Sequence, residues 1–330
     1  MVDVGLMVPD EAGGFAPEET IRFARRAEAA GFHSVWKGEA SWGNGPMTLA
    51  AIARETDEIR LATGVANVYS RTPSLLAMTG GTLESLSGGR TILGLGVSSE
   101  PVVERWHGLA FERPLRRTRE TVEILRDAFD GGTLAYEGEI FDVGPYSVGF
   151  DVERDRVPIY NAAMGETNCR LTGEFADGWV PAFVPLSELP TLRETVADGA
   201  RAADRDPDEI TVAPMVGTAV AEDPAVAESH VRDFLAQEMA MGYNRLAERF
   251  GFGEAANEAH DRWRNGDREG AAEAVSQEML DELAIYGTPE QCRDRVAGYA
   301  EAGCDVVVFF PPFTAPAEIT DNIVDAFAID

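Results

Sequence analysis

Residues 59–73 read Ile-Arg-Leu-Ala-Thr-Gly-Val-Ala-Asn-Val-Tyr-Ser-Arg-Thr-Pro, and residues 87–96 read Ser-Gly-Gly-Arg-Thr-Ile-Leu-Gly-Leu-Gly. The short apolar run from Ile59 to Val65 is typical of a strand buried on both faces of a parallel sheet. Thr72 and Pro73 predict a helix start, because proline lacks only an N–H that the first turn leaves unpaired. The predicted helix, 74–86, ends at Ser-Gly-Gly, and residues 91–96 form the next strand. Together these elements predict one βαβ unit.

The same alternation of strand-like and helical runs continues from end to end. Eight strands are predicted, at residues 4–8, 33–38, 59–65, 91–96, 157–161, 178–182, 210–220 and 305–310. Eight is the number that closes a (β/α)8 TIM barrel, and an open doubly wound sheet is the alternative. Residues 131–157 and 243–282 interrupt the rhythm and are interpreted as insertions. We therefore expect a single domain over residues 1–330, of α/β class.

Composition limits the function classes. The 330 residues carry a formal net charge of -29, and Lys37 is the one lysine among 28 basic residues. Such a surface repels nucleic acid and anionic membranes. An acidic, lysine-poor surface also stays hydrated in concentrated salt, so we expect a salt-loving, cytoplasmic protein. The three cysteines lack the spacing of a disulfide framework or a zinc site, and no metal site is expected.

In a barrel, binding and catalytic residues lie at the carboxyl ends of the strands. Gly64 follows the third strand, where glycine allows a flat ligand to approach the backbone, or simply ends the strand. Gly165 opens a helix whose N-terminal amides are suited to a phosphate. The strand ends contribute the following residues: Pro9 and Asp10, Lys37 to Glu39, Gly64 to Asn67, Val97 to Glu100, and Asn161 to Thr167.

Three glutamates are candidate acid–base groups: Glu39, Glu100 and Glu248. Burial raises the pKa of a carboxyl group and suits it to proton transfer, although any one of 57 acidic residues is more often a solvated surface charge. For Lys37 two interpretations are open: it neutralises Glu39 or a ligand anion, or it is an incidental lysine on a loop. His107 is a proton shuttle or a polar loop residue. No Ser-His-Asp order, HExxH or P-loop motif is present.

The assembled segments resemble the bacterial-luciferase-like superfamily of flavin and deazaflavin enzymes, and within it the methylenetetrahydromethanopterin reductases. Residues 30–39, Ala-Gly-Phe-His-Ser-Val-Trp-Lys-Gly-Glu, are similar to the family's second strand, and residues 63–73 to its third-strand motif. Residues 87–96, 172–178, 248–251 and 287–289 continue the likeness in the same order. The resemblance spans nearly the whole chain.

The resemblance implies a luciferase-like (β/α)8 barrel that binds coenzyme F420, with FMN as the alternative cofactor. It also implies a non-prolyl cis peptide, here Gly64-Val65, behind the deazaflavin ring, and candidate proton-handling or pterin-contacting roles for Glu39 and Glu248. The implied cofactor-binding residues are Glu39, Thr63, Gly64, Val65, Asn67, Val97, Ser98, Ser99, Ala163, Gly165, Glu166 and Thr167. The chain departs from the family at Glu39-Ala40, where Asp-His is common, and at Gly5 to Pro9, which lacks the reductases' glutamate.

The leading hypothesis is an F420-dependent oxidoreductase that transfers a hydride to the methylene group of a tetrahydropterin or tetrahydrofolate. Three alternatives remain: an F420-dependent oxidoreductase on an alcohol or another small molecule, an FMN-dependent monooxygenase, and a non-catalytic protein of the same fold. The expected partners are the small-molecule substrate and, by resemblance, further copies of the chain in a homodimer or larger homo-oligomer.

Overall fold

The computed structural model describes residues 2–150 and 157–329. Residues 151–156, which belong to the first predicted insertion, lie outside the described residues. The chain divides into two compact units, which are described separately. Unit 1 comprises Met1–His33, Pro181–Arg193 and Val212–Asp330, and unit 2 comprises Ser34–Val180 and Glu194–Thr211.

The strands are short and mostly buried, as the apolar runs predict. In chain order they are β1 (Asp3–Met7), β2 (Ser34–Lys37), β3 (Arg60–Thr63), β4 (Ala66–Asn67), β5 (Thr91–Gly96), β6 (Thr133–Glu137), β7 (Asp142–Ser147), β8 (Ile159–Asn161), β9 (Gly178–Trp179), β10 (Thr211–Val212), β11 (Met215–Val220), β12 (Ala284–Gly287) and β13 (Val306–Phe310).

Helices separate most of these strands. They are α1 (Pro17–Ala29), α2 (Gly45–Ala53), α3 (Pro73–Ser87), α4 (Pro114–Phe129), α5 (Glu166–Phe175), α6 (Leu189–Ala202), α7 (Pro224–Glu238), α8 (Asn244–Arg249), α9 (Gly253–Arg264), α10 (Arg268–Ala274), α11 (Gln277–Leu283), α12 (Pro289–Glu301) and α13 (Ala317–Ala326).

The sheet strands of unit 2 are parallel, in the order β2, β3, β5, β8, β9, and β4 also pairs with β5. Leu95 of β5 pairs with Ala66 on one side and Asn161 on the other. In unit 1, β1, β13, β11 and β12 are parallel neighbours in that order. The βα alternation with parallel strands is therefore confirmed within each unit.

The opening βαβ unit forms as its sequence predicts. The Thr72 hydroxyl accepts a hydrogen bond from the Leu75 N–H, Pro73 begins α3, and Gly88 ends it at φ 63°. Arg90, from the Ser-Gly-Gly-Arg turn, donates through its guanidinium to the carbonyl oxygens of Ala53 and Thr56. Because these carbonyls lie at and just after the C-terminal end of α2, Arg90 anchors that helix to the turn before β5.

The first predicted insertion contains an antiparallel hairpin of β6 and β7. The buried Glu120 carboxylate of α4 accepts hydrogen bonds from the backbone N–H groups of Glu139, Ile140 and Phe141. Three such donors stabilise a buried carboxylate and hold the hairpin turn against α4.

Two parts of the sequence interpretation need correction. The predicted strand 210–220 is interrupted, because Pro214 has no N–H to donate to a strand ladder, and β10 and β11 form instead. The strand β12 was not predicted, since four residues are too short to show periodicity.

The second predicted insertion, 243–282, contains helices α8 to α11, which follow a kink at Gly242, where φ is 117°. The side chains of all three cysteines are buried. No helix within residues 2–150 and 157–329 is long and apolar enough to cross a membrane.

Candidate active site

The peptide bond between Gly64 and Val65 is cis, as the resemblance implies. It lies between β3 and β4, at the point where the third predicted strand ends. The Gly64 N–H donates to the carbonyl oxygen of Lys37 at 2.9 Å, which ties the turn to the end of β2. The expectation that this bond is unusual is confirmed.

Two glycines of β5 make room for this turn. A Cβ atom on Gly94 would lie 2.1 Å from the carbonyl oxygen of Thr63, and one on Gly96 would lie 2.5 Å from Cγ2 of Val65. The Thr63 hydroxyl donates to the Gly94 carbonyl oxygen at 2.7 Å. The sequence Gly-Leu-Gly therefore serves close packing of the turn against β5.

Two buried amide side chains beside this turn have unsatisfied atoms. Asn67 ends β4, and its Oδ1 accepts from the Tyr69 N–H at 2.8 Å, so its Nδ2 faces away from that contact. Asn161 ends β8, and its Nδ2 donates to Asn168 and Thr172. Asn67 Nδ2 and Asn161 Oδ1 have no partner among the described residues. Buried polar atoms without partners are rare and indicate a ligand or water.

The loop after β5 holds three more predicted cofactor residues. Val97, Ser98 and Ser99 are half-buried, and Ser98 has a φ of 58°. A positive φ in a non-glycine residue is uncommon and is found often at ligand-binding loops.

The predicted phosphate-binding helix starts as expected. α5 begins at Glu166, and its N-cap Gly165 provides no side-chain hydrogen bond to the first turn. The amides of Glu166 and Thr167 at this end carry the partial positive charge of the helix dipole. Ala163 is fully buried, and its carbonyl oxygen accepts from Trp179 Nε1 at 2.7 Å.

Glu39 forms a two-bond ion pair with Arg71. Arg71 Nε and its second guanidinium nitrogen each donate to one Glu39 carboxylate oxygen, both at 2.7 Å. The hydrogen bond to Glu39 raises the pKa of Arg71 above its usual range. The pair borders a 390 Å³ cavity of unit 2, lined by Glu39, Ala40, Ser41, Trp42, Gly43, Asn44, Ser70, Arg71, Leu75, Trp106 and His107.

The other singled-out residues are dispersed. Lys37 is buried, and its ammonium group donates to the Gly38 carbonyl oxygen at 3.2 Å, while Arg71 supplies the cation beside Glu39. Glu100 is exposed at the helical turn after β5, and Glu248 is exposed on α8 of unit 1. Glu39 and the loops of the predicted cofactor residues belong to unit 2.

A model of the luciferase-like monooxygenase family matches residues 3–306. The chain belongs to this family. Among its relatives, a Mycobacterium tuberculosis protein provisionally named a coenzyme F420-dependent oxidoreductase is 32% identical, covering 90% of this chain and 91% of its own. The 5,10-methylenetetrahydromethanopterin reductase of Archaeoglobus fulgidus is 31% identical, covering 88% of each.

Solved structures of the family establish the fold. The F420-dependent tetrahydromethanopterin reductase of Methanopyrus kandleri has a TM-score of 0.89 at 24% identity, covering 99% of this chain and 98% of its own. An F420-dependent secondary alcohol dehydrogenase has a TM-score of 0.80 at 19% identity, covering 100% of this chain and 99% of its own. The predicted luciferase-like (β/α)8 barrel fold is confirmed.

Sequence reasoning missed several residues of this site. Arg71 lies in the third-strand motif, directly before Thr72, the N-cap of α3. A cation at this position was the signal in the sequence that could have identified it. Trp42 and Trp106 line the same cavity but belong to no local pattern. The family resemblance does not identify these cavity residues, because only the folded chain places them together.

A larger groove of 900 Å³ lies on unit 1, along helices α7, α9 and α10. Both of its arginines contact other groove residues: Arg232 donates to Glu228 at 2.8 Å, and Arg268 lies over the Trp263 ring. The groove is lined mainly by helix surfaces, so we do not assign it as the active site.

Proposed function

We propose that this protein is an F420-dependent oxidoreductase that reduces the methylene group of a tetrahydropterin or tetrahydrofolate to a methyl group. The observation that carries the proposal is the pair of buried amide atoms at the ends of β4 and β8, Asn67 Nδ2 and Asn161 Oδ1, which have no partner among the described residues. Relatives named as F420-dependent oxidoreductases and methylenetetrahydromethanopterin reductases support it.

The residues present fit a deazaflavin. Its pyrimidine ring carries N–H donors and carbonyl acceptors, and Asn67 Nδ2 and Asn161 Oδ1 are a free donor and a free acceptor. Their strands flank β5, whose Leu95 pairs with Ala66 and Asn161. When bound, F420 supplies a hydride donor. The protein's own task is to position the cofactor and the substrate for the hydride transfer.

Each part of the proposed site has a physical task. Gly64, Val65 and the loop from Val97 to Ser99 would hold the ring. The N-terminal amides at Gly165 to Thr167 would bind the phosphate. Arg71 holds the Glu39 carboxylate in place beside the 390 Å³ cavity. We retain Glu39, Glu100 and Glu248 as candidates for proton handling.

FMN-dependent oxygenation is the competing function. A Baeyer-Villiger monooxygenase component from Pseudomonas putida in complex with FMN has a TM-score of 0.72 at 20% identity, covering 99% of this chain and 97% of its own. The two cofactors present a similar ring, but reduced flavin reacts readily with oxygen and reduced deazaflavin does not. An alcohol substrate is also consistent with the fold.

Titration of the purified protein with F420 and with FMN tests the cofactor. We expect F420 fluorescence to change saturably and FMN to bind weakly or not at all. Reduced F420 is then incubated with methylene-tetrahydromethanopterin, methylene-tetrahydrofolate and acetone. Oxidation with either methylene carrier supports the proposal, whereas tight FMN binding with oxygen consumption would replace it with the monooxygenase function.

We further propose that the protein works in a salt-rich cytoplasm as a homodimer or larger homo-oligomer. Its one lysine is buried, so its exposed cations are arginines among 57 acidic residues. On unit 2, Met47 is 72% exposed and Met78 is 57% exposed, which is apolar surface suited to a second copy. Sedimentation at increasing salt measures the oligomeric state.

A further inference from the structure

The side-chain amide of Asn161 is held in one orientation at the end of β8. Only 1% of the residue is exposed, and its Nδ2 donates to Asn168 Oδ1 at 3.1 Å and to Thr172 Oγ1 at 2.8 Å. An amide nitrogen carries two protons, so both of its donors are used. The remaining hydrogen-bonding capacity lies in Oδ1, which has no partner among the described residues and can only accept.

The hydroxyl group of Thr172 determines which atom of Asn161 can face it. Thr172 is fully buried on α5, and its Oγ1 donates to the backbone carbonyl oxygen of Asn168, four residues earlier, at 2.8 Å. A hydroxyl group has one proton, so Oγ1 presents only lone pairs to Asn161. A flipped amide would place Asn161 Oδ1 against this oxygen, and two acceptors repel each other.

Asn168, in the first turn of α5, imposes the same orientation. Its Nδ2 donates to the Ala162 carbonyl oxygen at 3.2 Å, which leaves its Oδ1 to face Asn161. The amide of Asn161 therefore meets two acceptors, each fixed by a bond to a backbone carbonyl group. Because both acceptors need a donor, they hold Nδ2 in place and keep Asn161 Oδ1 out of these contacts.

This hydrogen-bonded group lies in unit 2, beside the unpaired amide of Asn67. Asn161 pairs with Leu95 of β5, and Leu95 pairs on its other side with Ala66, the residue before Asn67. The free acceptor of Asn161 and the free donor of Asn67 thus stand at the carboxyl ends of the two strands that flank β5. Ligands of barrels bind at this end of the strands.

We propose that Thr172 is a positioning residue for cofactor binding. Together with Asn168, it holds the Asn161 amide so that Oδ1 accepts a hydrogen bond from the pyrimidine N–H group of the deazaflavin. This inference rests on the proposed function, and it gives a task to the first residue of the family-like segment 172–178. A ring N–H matches the site because a fixed acceptor disfavours a carbonyl oxygen at the same place.

Fluorescence titration of threonine variants with F420 tests this role. Thr172→Val keeps the shape of the side chain but removes its oxygen, and we expect F420 affinity to fall about tenfold, the effect of one hydrogen bond. Thr172→Ser restores the hydroxyl group and should bind within about threefold of the wild type.

Thr118→Val is the matched control. Thr118 is 1% exposed on α4, and its hydroxyl group also donates to a carbonyl oxygen four residues earlier, that of Pro114. This variant loses the same kind of buried bond as Thr172→Val, so its stability should fall while its F420 affinity stays that of the wild type.

A double-variant cycle tests whether Thr172 acts through Asn161. Asn161→Ser removes the amide, so adding Thr172→Val should cause no further loss of F420 affinity. Losses that multiply would overturn the inference, as would wild-type affinity in Thr172→Val. If Thr172→Val does not fold, Asn168→Ala decides in its place. Asn168 is partly exposed, and its variant should also bind F420 more weakly, whereas unchanged affinity overturns the inference.

The side-chain NH2 signal of Asn161 provides a readout without cofactor. Nuclear magnetic resonance of the isotope-labelled, cofactor-free protein identifies this signal by its absence in Asn161→Ser. We expect Thr172→Val to shift it and Thr118→Val to leave it in place. If the wild type fails to bind F420, the proposed function fails, and this signal alone decides the positioning: a shift in Thr172→Val supports it, and an unmoved signal overturns it.

Discussion

Glu39 and Arg71 are joined by two hydrogen bonds of 2.7 Å each, across 32 residues of sequence. Both side chains are mostly buried, with 13% and 12% exposed. The carboxylate that the sequence nominates as an acid–base group is thus fixed by a guanidinium at the border of the unit 2 cavity. The Glu39 carboxylate is therefore first of all the partner of Arg71 in an ion pair.

Removing either partner of this pair should leave a charge without compensation. We expect Glu39→Gln and Arg71→Met each to lower the free energy of unfolding by about 1–3 kcal/mol. The double variant should lose less than the sum of the two, since no charge then remains unpaired. Denaturant unfolding of the four proteins measures the coupling. Additive losses would contradict a direct interaction.

The packing between Gly96 and Val65 predicts a compensating pair. Gly96→Ala places a Cβ atom 2.5 Å from Val65 Cγ2, so overpacking should cost about 1–3 kcal/mol. Adding Val65→Ala should recover most of that loss, as measured by thermal unfolding.

Gly94→Ala is the matched control, a variant whose stability Val65→Ala should not restore. Its Cβ atom meets the Thr63 carbonyl oxygen at 2.1 Å, and backbone cannot withdraw as a side chain can. Rescue of Gly94→Ala by Val65→Ala would show that the described packing is wrong.

Asn67→Asp tests the unpaired donor in cofactor binding. An aspartate keeps the oxygen that accepts from the Tyr69 N–H but loses the unpaired donor. We expect F420 affinity of the folded variant to fall about tenfold or more, and the unfolding midpoint to fall because an acid replaces a buried neutral amide. Fluorescence titration and a thermal melt give the two readouts. Unchanged F420 affinity would remove Asn67 from the site.

Glu238 should make stability depend on pH. Burial raises its pKa to about 8 in the folded protein, against 4.5 ordinarily, so the folded state holds a proton that the unfolded chain releases between these values. Stability from this group is complete below pH 4.5 and is lost as pH rises to about 8, by on the order of a few kcal/mol. Relative to the wild type, Glu238→Gln should gain stability across that range.

Comparing the two proteins at each pH cancels the titration of their shared groups, including Tyr243 and His260, whose Nδ1 lies 3.0 Å from the Met239 carbonyl oxygen. Parallel stability curves from pH 5 to 9 would contradict a raised pKa at Glu238.

Salt should stabilise the protein. With a net charge of -29, repulsion between surface carboxylates opposes folding, and screening shortens from about 10 Å at 0.1 M to about 3 Å at 1 M salt. We expect the unfolding midpoint to rise steadily with KCl concentration in differential scanning calorimetry. A falling midpoint would count against a salt-adapted surface.

Local signals determined much of this protein from the sequence. Thr72, Pro73 and Gly88 delimit α3 as predicted, because cap and proline chemistry acts within a few residues. Apolar runs located the buried strands for the same reason, and the rule that ligands bind at strand ends selected the turn at Gly64. The exceptions, Pro214 and the short strand β12, occur where a single residue or a four-residue run decides the outcome.

Only the tertiary structure decided which of these residues meet. The sequence could not choose among 57 acidic residues, since burial and partners depend on segments far apart in the chain. Folding pairs Glu39 with Arg71, leaves Asn67 Nδ2 unpaired beside β5, and buries Glu238 while it exposes Glu248. Desolvation and hydrogen bonding set the chemistry of each group, and both are properties of the packed chain.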